Sequence, residues 1–289
     1  MDLPYDLLED IVRRALREDI GHGDLTTLAT IPADAQAEAM FVCKEAGVVA
    51  GLPVVAAVYQ TVDTSLVVMP QVRDGDAVEA GTTLARVRGG ARGILTGERV
   101  ALNFLQRMSG IATLTSRYVA CVRDLPLPVR LLDTRKTTPG LRVLEKYAVV
   151  QGGGINHRAG LYDAVMLKDN HLAVLSACGC DMGEAVRRAR AAVGPLVNIE
   201  VEVESVEQAY LAADAGADVI LLDNMTAAAM REAVAAVGHR VVLEASGGIT
   251  LETIRSVAET GVNYISTGAL THSARALDIS LDMGNVSSG

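Results

Sequence analysis

The chain predicts an α/β protein whose parallel strands alternate with helices, preceded by a smaller β-rich module. Three observations carry that prediction. Half of the 289 residues are hydrophobic, yet aromatics make up 3% and Trp is absent, so Ala, Val, Leu and Ile must fill the core. Such a core suits buried parallel strands under Ala-rich helices. After about residue 115, short apolar runs alternate with helical segments, the last four runs beginning roughly 22 residues apart, close to the minimum for a strand plus a helix. Most of these runs finish on a polar group. The βα rhythm allows a parallel barrel or a doubly wound sheet; the polar ends favour the barrel, where all C-terminal strand ends open onto one face.

Residues Tyr5 to Arg17 carry apolar positions at Leu7, Leu8, Ile11, Val12 and Leu16, a helical stripe. Gly21-His22-Gly23-Asp24 breaks the chain. Strand-like runs follow at Ala39 to Lys44, Leu66 to Gln71 and Thr83 to Val87, punctuated by Asp74-Gly75-Asp76 and Ala80-Gly81. The stretch Val72 to Val87 resembles half of a biotinyl or lipoyl carrier domain. It holds no lysine for a hairpin tip, so it reads as scaffold. A helix is expected from Leu95 to Met108, ending near Ser109-Gly110.

The later strand runs are Val129 to Asp133, Asp163 to Lys168, Val197 to Glu202, Asp218 to Asp223, Arg240 to Glu244 and Asn263 to Thr267. Ser205-x-x-Gln208 makes a capping box ahead of a helix over Ala209 to Ala215. Thr226 introduces a helix over Ala227 to Val237, and Gly238 stops it.

With 26 basic residues against 35 acidic ones the formal charge is −9, which excludes a general nucleic-acid surface but not a local basic pocket. No apolar stretch reaches membrane-spanning length. The opening residues Asp2, Asp6, Glu9 and Asp10 are unlike a secretory leader, and a cytoplasmic location is expected. Cys43, Cys121, Cys178 and Cys180 read as reduced thiols, since Cys178-Gly179-Cys180 is too tight for the usual paired zinc ligands.

Two basic clusters stand out against the acidic whole. Asp133-Thr134-Arg135-Lys136-Thr137-Thr138-Pro139-Gly140-Leu141-Arg142 follows the first barrel strand. Gly152-Gly153-Gly154-Ile155-Asn156-His157-Arg158 leads into the strand ending Lys168-Asp169-Asn170-His171. At one barrel mouth, Arg135, Lys136, His157, Arg158 and Lys168 would select a small polyanion. Arg forks grip carboxylates with two prongs, while Lys acts as a point charge. The plainer alternatives are a solvated loop for Arg135-Lys136 and a structural histidine for His157. Glu202 and Asp223, on strand ends one βα unit apart, are candidates to hold Mg²⁺ largely through water, or to accept from sugar hydroxyls. Glu200 and Glu204 share the strand parity of Glu202, so parity leaves the choice among the three open. Glu244-Ala245-Ser246-Gly247-Gly248-Ile249-Thr250 follows a strand and opens a helix, and Ser266-Thr267-Gly268 follows the next strand. Such junctions cradle phosphate with backbone N–H groups.

These runs, together with Glu200 to Glu204, Leu221 to Met225, Thr267 to His272 and the opening Glu18 to Thr27, resemble the quinolinate phosphoribosyltransferase family, also called carboxylating nicotinate-nucleotide pyrophosphorylase. The resemblance covers nearly the whole chain. It implies an α/β sandwich domain over residues 1–114 and an incomplete, seven-stranded parallel α/β barrel over 115–268. It implies a tail, 269–289, that returns to the first domain. The implied assembly is a dimer or larger, with Arg99 reaching the partner's barrel. By the same resemblance Arg135, Lys136, His157, Arg158 and Lys168 bind quinolinate, with Thr134 beside them, and Lys136 and Lys168 are shared with the ribose phosphates. Glu202 and Asp223 serve the ribose and Mg²⁺-pyrophosphate, reaching the metal through water or the pyrophosphate. Ser246, Gly247, Gly248 and Gly268 hold the 5-phosphate of phosphoribosyl pyrophosphate. Lys136, Lys168, Glu202 and Asp223 form the implied catalytic set.

Three other readings compete. A paralogous transferase of the same fold, such as the pyrophosphorylase-like protein associated with molybdate transport, would keep the phosphoribosyl turns but alter the carboxylate-binding arginines. A barrel aldolase would use Lys168 as a Schiff-base amine, a role that needs a desolvated lysine rather than one among carboxylates. A carrier or binding module would need the missing hairpin-tip lysine.

Overall fold

Inward-facing positions on the late strands are polar while their neighbours are deeply buried, and this alternation builds the second half of the molecule. A computed structural model of the chain describes residues 3–126 and 129–287. Asp2 and the last two positions of the expected tail, 288 and 289, lie outside the described residues. The described residues form two compact units: one from residues 3–116, 137–153 and 270–287, the other from 117–126, 129–136 and 154–269.

The chain opens with α1 (Tyr5–Ile20), α2 (Leu25–Thr30), β1 (Gln36–Cys43), β2 (Gly47–Val48) and α3 (Leu52–Val62). Then come β3 (Val67–Pro70), β4 (Ala77–Val78), β5 (Thr83–Gly90) and the long α4 (Ala91–Ala120). The rest runs β6 (Arg130–Leu132), α5 (Arg142–Gln151), β7 (Val165–Leu167), α6 (Asp169–Ala177), α7 (Met182–Ala192) and β8 (Ile199–Val203). It continues with α8 (Val206–Asp214), β9 (Val219–Asp223), α9 (Ala227–Val237) and β10 (Val242–Ser246). It closes with α10 (Ile254–Ala258), β11 (Tyr264–Ser266), α11 (Ala269–His272) and β12 (Ile279–Ser287).

In the first unit, β12, β1, β5 and β3 form an antiparallel sheet in that order, and β2 pairs with β4. Along β1 each second residue is buried, Ala37, Ala39, Phe41 and Cys43, the signature of a strand with one covered face. Phe41 meets Tyr59 of α3 edge-on at 6.2 Å between ring centroids, a favoured aromatic geometry. The C-terminal strand β12 pairs with β1 over Ile279 to Ser287.

Helix α4 corrects one expectation. It does not stop at Ser109-Gly110 but continues to Ala120. Neither residue is a helix stop. The Ser109 hydroxyl accepts from Ala50 N–H at 3.0 Å and donates to Ala50 C=O at 3.2 Å, replacing solvent for that buried backbone. Gly110 lets the chain at Arg275 approach so closely that a Cβ would lie 2.0 Å from its carbonyl oxygen.

The second unit holds six parallel strands in the order β6-β11-β10-β9-β8-β7. Beyond β6, Ile155 makes one isolated parallel bridge to Leu132. The helix starts follow the sequence closely. Thr226 accepts from Ala229 N–H at 3.2 Å to open α9, and Ser205 accepts from Gln208 N–H at 3.2 Å to open α8. The return bond of the expected capping box is displaced by one residue, because Gln208 Oε1 accepts from Glu204 N–H instead. A second correction concerns the turn at Ser246 to Thr250. It does not open a helix directly; a turn intervenes and α10 begins only at Ile254. The four cysteines are free thiols. Among the described residues, no helix is long and apolar enough to cross a membrane.

Candidate active site

Strand ends place the ionisable side chains. Asp223, Ser246 and Ser266 are the last residues of β9, β10 and β11, Lys168 directly follows β7, and Glu202 is one residue short of the end of β8. A cavity of about 140 Å³ opens there. Thr134, Arg135 and Lys136 line it from the segment after β6, and His157 and Arg158 from the segment before β7. Lys168, Glu202, Asp223, Glu244, Ser246 and Ser266 complete its polar wall, with Met166 and Leu221 as apolar contacts. The cations that the sequence placed far apart therefore share one cavity with the acidic strand tips.

Local bonds aim these groups. Lys136 N–H donates to Thr134 Oγ1 at 3.0 Å, which folds the loop back at Arg135. Lys168 Nζ lies 3.3 Å from Glu202 Oε2 on a half-exposed side chain, a setting unlike that of a desolvated Schiff-base lysine. Asn224 takes a positive φ of 52°, donates from its side chain to Asp223 Oδ2 at 2.8 Å and from its backbone to Ser246 C=O at 3.0 Å. Gly247 makes room for this, since a Cβ there would fall 2.2 Å from Asn224 Oδ1. Gly247 is thus needed to pack one turn on the next, and Gly248, at φ +60°, faces open space. Ser266 Oγ donates to Ser246 Oγ at 3.0 Å. Gly247, Gly248 and Gly268 are not among the cavity-lining residues, and Arg99 is carried by α4 in the first unit.

The electrostatics centre on His157. Its Nε2 lies 3.1 Å from Glu200 Oε2 and 3.5 Å from Glu244 Oε2. Burial alone would lower its pKa, but hydrogen bonds and charge from the two glutamates raise it to about 10. Its Nδ1 accepts Arg158 N–H at 2.7 Å, a bond that a second ring proton would break. With Nδ1 accepting Arg158 N–H, the ring carries its proton on Nε2, toward the two carboxylates that favour it there. Burial also pushes Glu200 up, with Glu244 adding to it. Burial and then the Arg135 charge hold Arg158 below its usual value, against the opposing charges of Glu200 and Asp163.

His157, Glu200 and Glu244 offer three ligand atoms within 4.8 Å of one another, close enough for a metal. The Arg158 bond opposes it: with Nδ1 accepting, the ring proton is on Nε2, which then has no lone pair for a cation.

Parity left Glu200, Glu202 and Glu204 undecided, and depth separates them. Glu202 reaches the cavity, Glu200 is a layer deeper and buried, and Glu204 is exposed beyond the strand. In the sequence Glu244 was one of the polar strand ends expected at the shared face, which it does line, and Glu200 only a parity alternative to Glu202; neither had a specific task. The available signal was inward parity on alternate strands, β8 and β10, the way a barrel layer is built.

The N-terminal and C-terminal domain models of quinolinate phosphoribosyl transferase match residues 24–109 and 111–282 of the chain. The chain is 47% identical over 276 residues to a protein of Bacillus subtilis described as a probable nicotinate-nucleotide pyrophosphorylase [carboxylating], covering 96% of this chain and 93% of that one. A chloroplastic nicotinate-nucleotide pyrophosphorylase [carboxylating] of Oryza sativa is 44% identical, with 96% of this chain and 77% of that one covered. Among solved structures, NadC from Streptococcus pyogenes superposes with a TM-score of 0.92 at 42% identity, covering 99% of each chain. With both domain models matched in order, the chain belongs to the quinolinate phosphoribosyltransferase family.

Proposed function

We propose that this chain transfers the phosphoribosyl group of 5-phosphoribosyl-1-pyrophosphate to quinolinate, with decarboxylation, giving nicotinate mononucleotide, pyrophosphate and CO₂ in NAD biosynthesis. The observation that carries this reading is the single cavity in which Arg135, Lys136, Arg158 and Lys168 face Glu202 and Asp223. A pyridine with two adjacent carboxylates is a dianion of the size and charge that such a wall accepts. Arg135 and Arg158 grip the carboxylates, and Lys136 and Lys168 are shared with the ribose phosphates. Thr134 shapes the loop, and His157 braces the wall. Ser246, Gly247, Gly248 and Gly268 hold the 5-phosphate at the turns after β10 and β11. The Ser246–Ser266 pair supports that assignment because both residues line the cavity and their hydroxyls are bonded to each other.

The ring nitrogen attacks the anomeric carbon while the C1–O bond to the departing pyrophosphate breaks, through a transition state with oxocarbenium character that Glu202 and Asp223 orient and stabilise. The quaternised nitrogen then stabilises the carbanion left as the adjacent carboxylate departs as CO₂, and a proton from water completes the ring C–H bond. Positioning and fixed charge supply the catalysis, without a covalent intermediate on the protein. Glu202 and Asp223 would serve Mg²⁺ through water and the pyrophosphate. Neither belongs to a close-set group of three ligating side chains among the described residues, which suits a cation held indirectly. When bound, the ion offsets charge on the leaving group.

At larger scale the reading comprises a sandwich domain over 1–114, an incomplete seven-stranded barrel over 115–268, and the tail 269–289. The Ile155 bridge beyond β6 supports a seventh strand, and the β12–β1 ladder supports the tail's return. The working unit is a cytoplasmic homodimer or larger assembly in which Arg99 completes the neighbour's site. The test is a spectrophotometric assay with quinolinate, phosphoribosyl pyrophosphate and Mg²⁺, and with nicotinate in place of quinolinate as the control. Product with quinolinate alone is expected; product with nicotinate, or with neither, overturns the reading.

A further inference from the structure

At the floor of the cavity lies a carboxylate pair, Glu244 lining it and Glu200 one layer deeper, to which the reading above gives no task. Glu200 on β8 and Glu244 on β10 flank β9, whose Val219 is level with Glu200 and whose Leu221 is level with Glu244. They are 4% and 2% exposed. Both reach the same atom, His157 Nε2, at 3.1 and 3.5 Å. On the opposite edge of the ring, Nδ1 accepts Arg158 N–H at 2.7 Å, and His157 N–H donates to Asp133 Oδ1 at 2.9 Å. Both ring nitrogens are therefore occupied by the protein. The imidazole cannot offer an N–H to a ligand without releasing one of these bonds. Its Nε2 bonds tie β8 and β10 to the segment that carries Arg158.

A second cavity, of about 330 Å³, opens at the other ends of the same strands, beside Asn198 and Tyr264. His157, Arg158 and Glu244 line both cavities. This wall thus lacks dense apolar packing on either side, and polar bonds must hold it in place. Glu244 Oε1 is buried with no hydrogen-bond partner, so that side chain is held through Oε2 on the ring. Two buried carboxylates under an anion pocket oppose the ligand through space. Their presence is intelligible if the geometry they impose outweighs that repulsion.

We propose that Glu200 and Glu244 are positioning residues that clamp His157 from below and, through its Nδ1 bond to the Arg158 backbone, hold Arg158 toward the carboxylates of the acceptor. The proposal rests on the quinolinate reading. The two conceivable influences of these glutamates have opposite signs. Through-space charge alone would make Glu200→Gln and Glu244→Gln bind the dianion more tightly. A clamp makes them bind it more weakly.

The experiment measures both KM values and kcat for wild type, Glu200→Gln, Glu244→Gln, Glu200→Asp and Glu244→Asp, and repeats the Gln changes in a His157→Ala background. The Asp variants keep the charge but withdraw the carboxylate, and they carry the same test if a Gln variant does not fold. Expected is a roughly 10-fold rise in quinolinate KM for each variant, with kcat and the phosphoribosyl pyrophosphate KM within about twofold, and an effect below about twofold once His157 is absent. A fall or no change in quinolinate KM, or effects that add to His157→Ala, overturns the proposal. Lack of wild-type turnover with quinolinate would instead overturn the function, so the two failures are told apart.

Discussion

At the scale of single residues, the cavity depends on few guanidinium contacts, and their loss has a calculable cost. Charge-assisted hydrogen bonds contribute about 1.5–3 kcal/mol each, so Arg135→Ala or Arg158→Ala should raise the quinolinate KM roughly 10- to 100-fold. Circular dichroism and size-exclusion profiles should stay unchanged, because both side chains line the cavity rather than fill a core. Unchanged steady-state constants in both variants would remove the dianion pocket from the account. Arg135, Arg158 and Lys168 were legible in the sequence because they fall in basic clusters beside strand-like runs on a chain of formal charge −9. The convergence of Glu200 and Glu244 on His157 was not, because a carboxylate's depth within a barrel depends on strand stagger. A one-dimensional parity pattern carries no information about stagger.

At the scale of elements, α4 shows how a local rule yields to packing. Ser-Gly is a reasonable helix stop, yet Gly110 lies in mid-helix against the chain at Arg275, and Leu277 N–H donates to Gln106 C=O at 2.9 Å. Gly110→Ala improves helix propensity by roughly 1 kcal/mol. It also drives a methyl group into the Arg275 carbonyl, and overpacking of this kind costs about 1–3 kcal/mol or more. Net destabilisation in urea unfolding is therefore expected; stabilisation would show that the segment at Arg275 yields freely. The helices α8 and α9 show the opposite case. Their Ser205 and Thr226 caps were readable because capping is decided within three residues, without help from distant chain.

At the scale of the whole molecule, the proposed exchange of Arg99 between subunits makes a prediction that no single-chain defect can imitate. Arg99→Ala and Arg158→Ala proteins should each be weakly active alone. After mixing and subunit exchange they should recover about a quarter of wild-type activity, because half the dimers are hybrids and each hybrid holds one complete site. No recovery under conditions of demonstrated exchange would return Arg99 to its own subunit. The acidic whole and the basic cavity are compatible because electrostatic selection acts over the local cleft, within about a Debye length of 8–10 Å, while net charge governs solubility.

The amino-acid order by itself determined the class, the six-strand βα rhythm, the strand-end position of the ionisable groups and the helix caps, since each depends on periodicity or on neighbours within a turn. Tertiary structure alone decided which of three same-parity glutamates reaches the cavity, that Gly110 continues a helix, that α10 starts late, and that both nitrogens of His157 are occupied. The choice among the glutamates, the continuation past Gly110 and the Nε2 contacts of His157 depend on the distance between chain segments far apart in sequence, and only packing of the folded chain sets that distance.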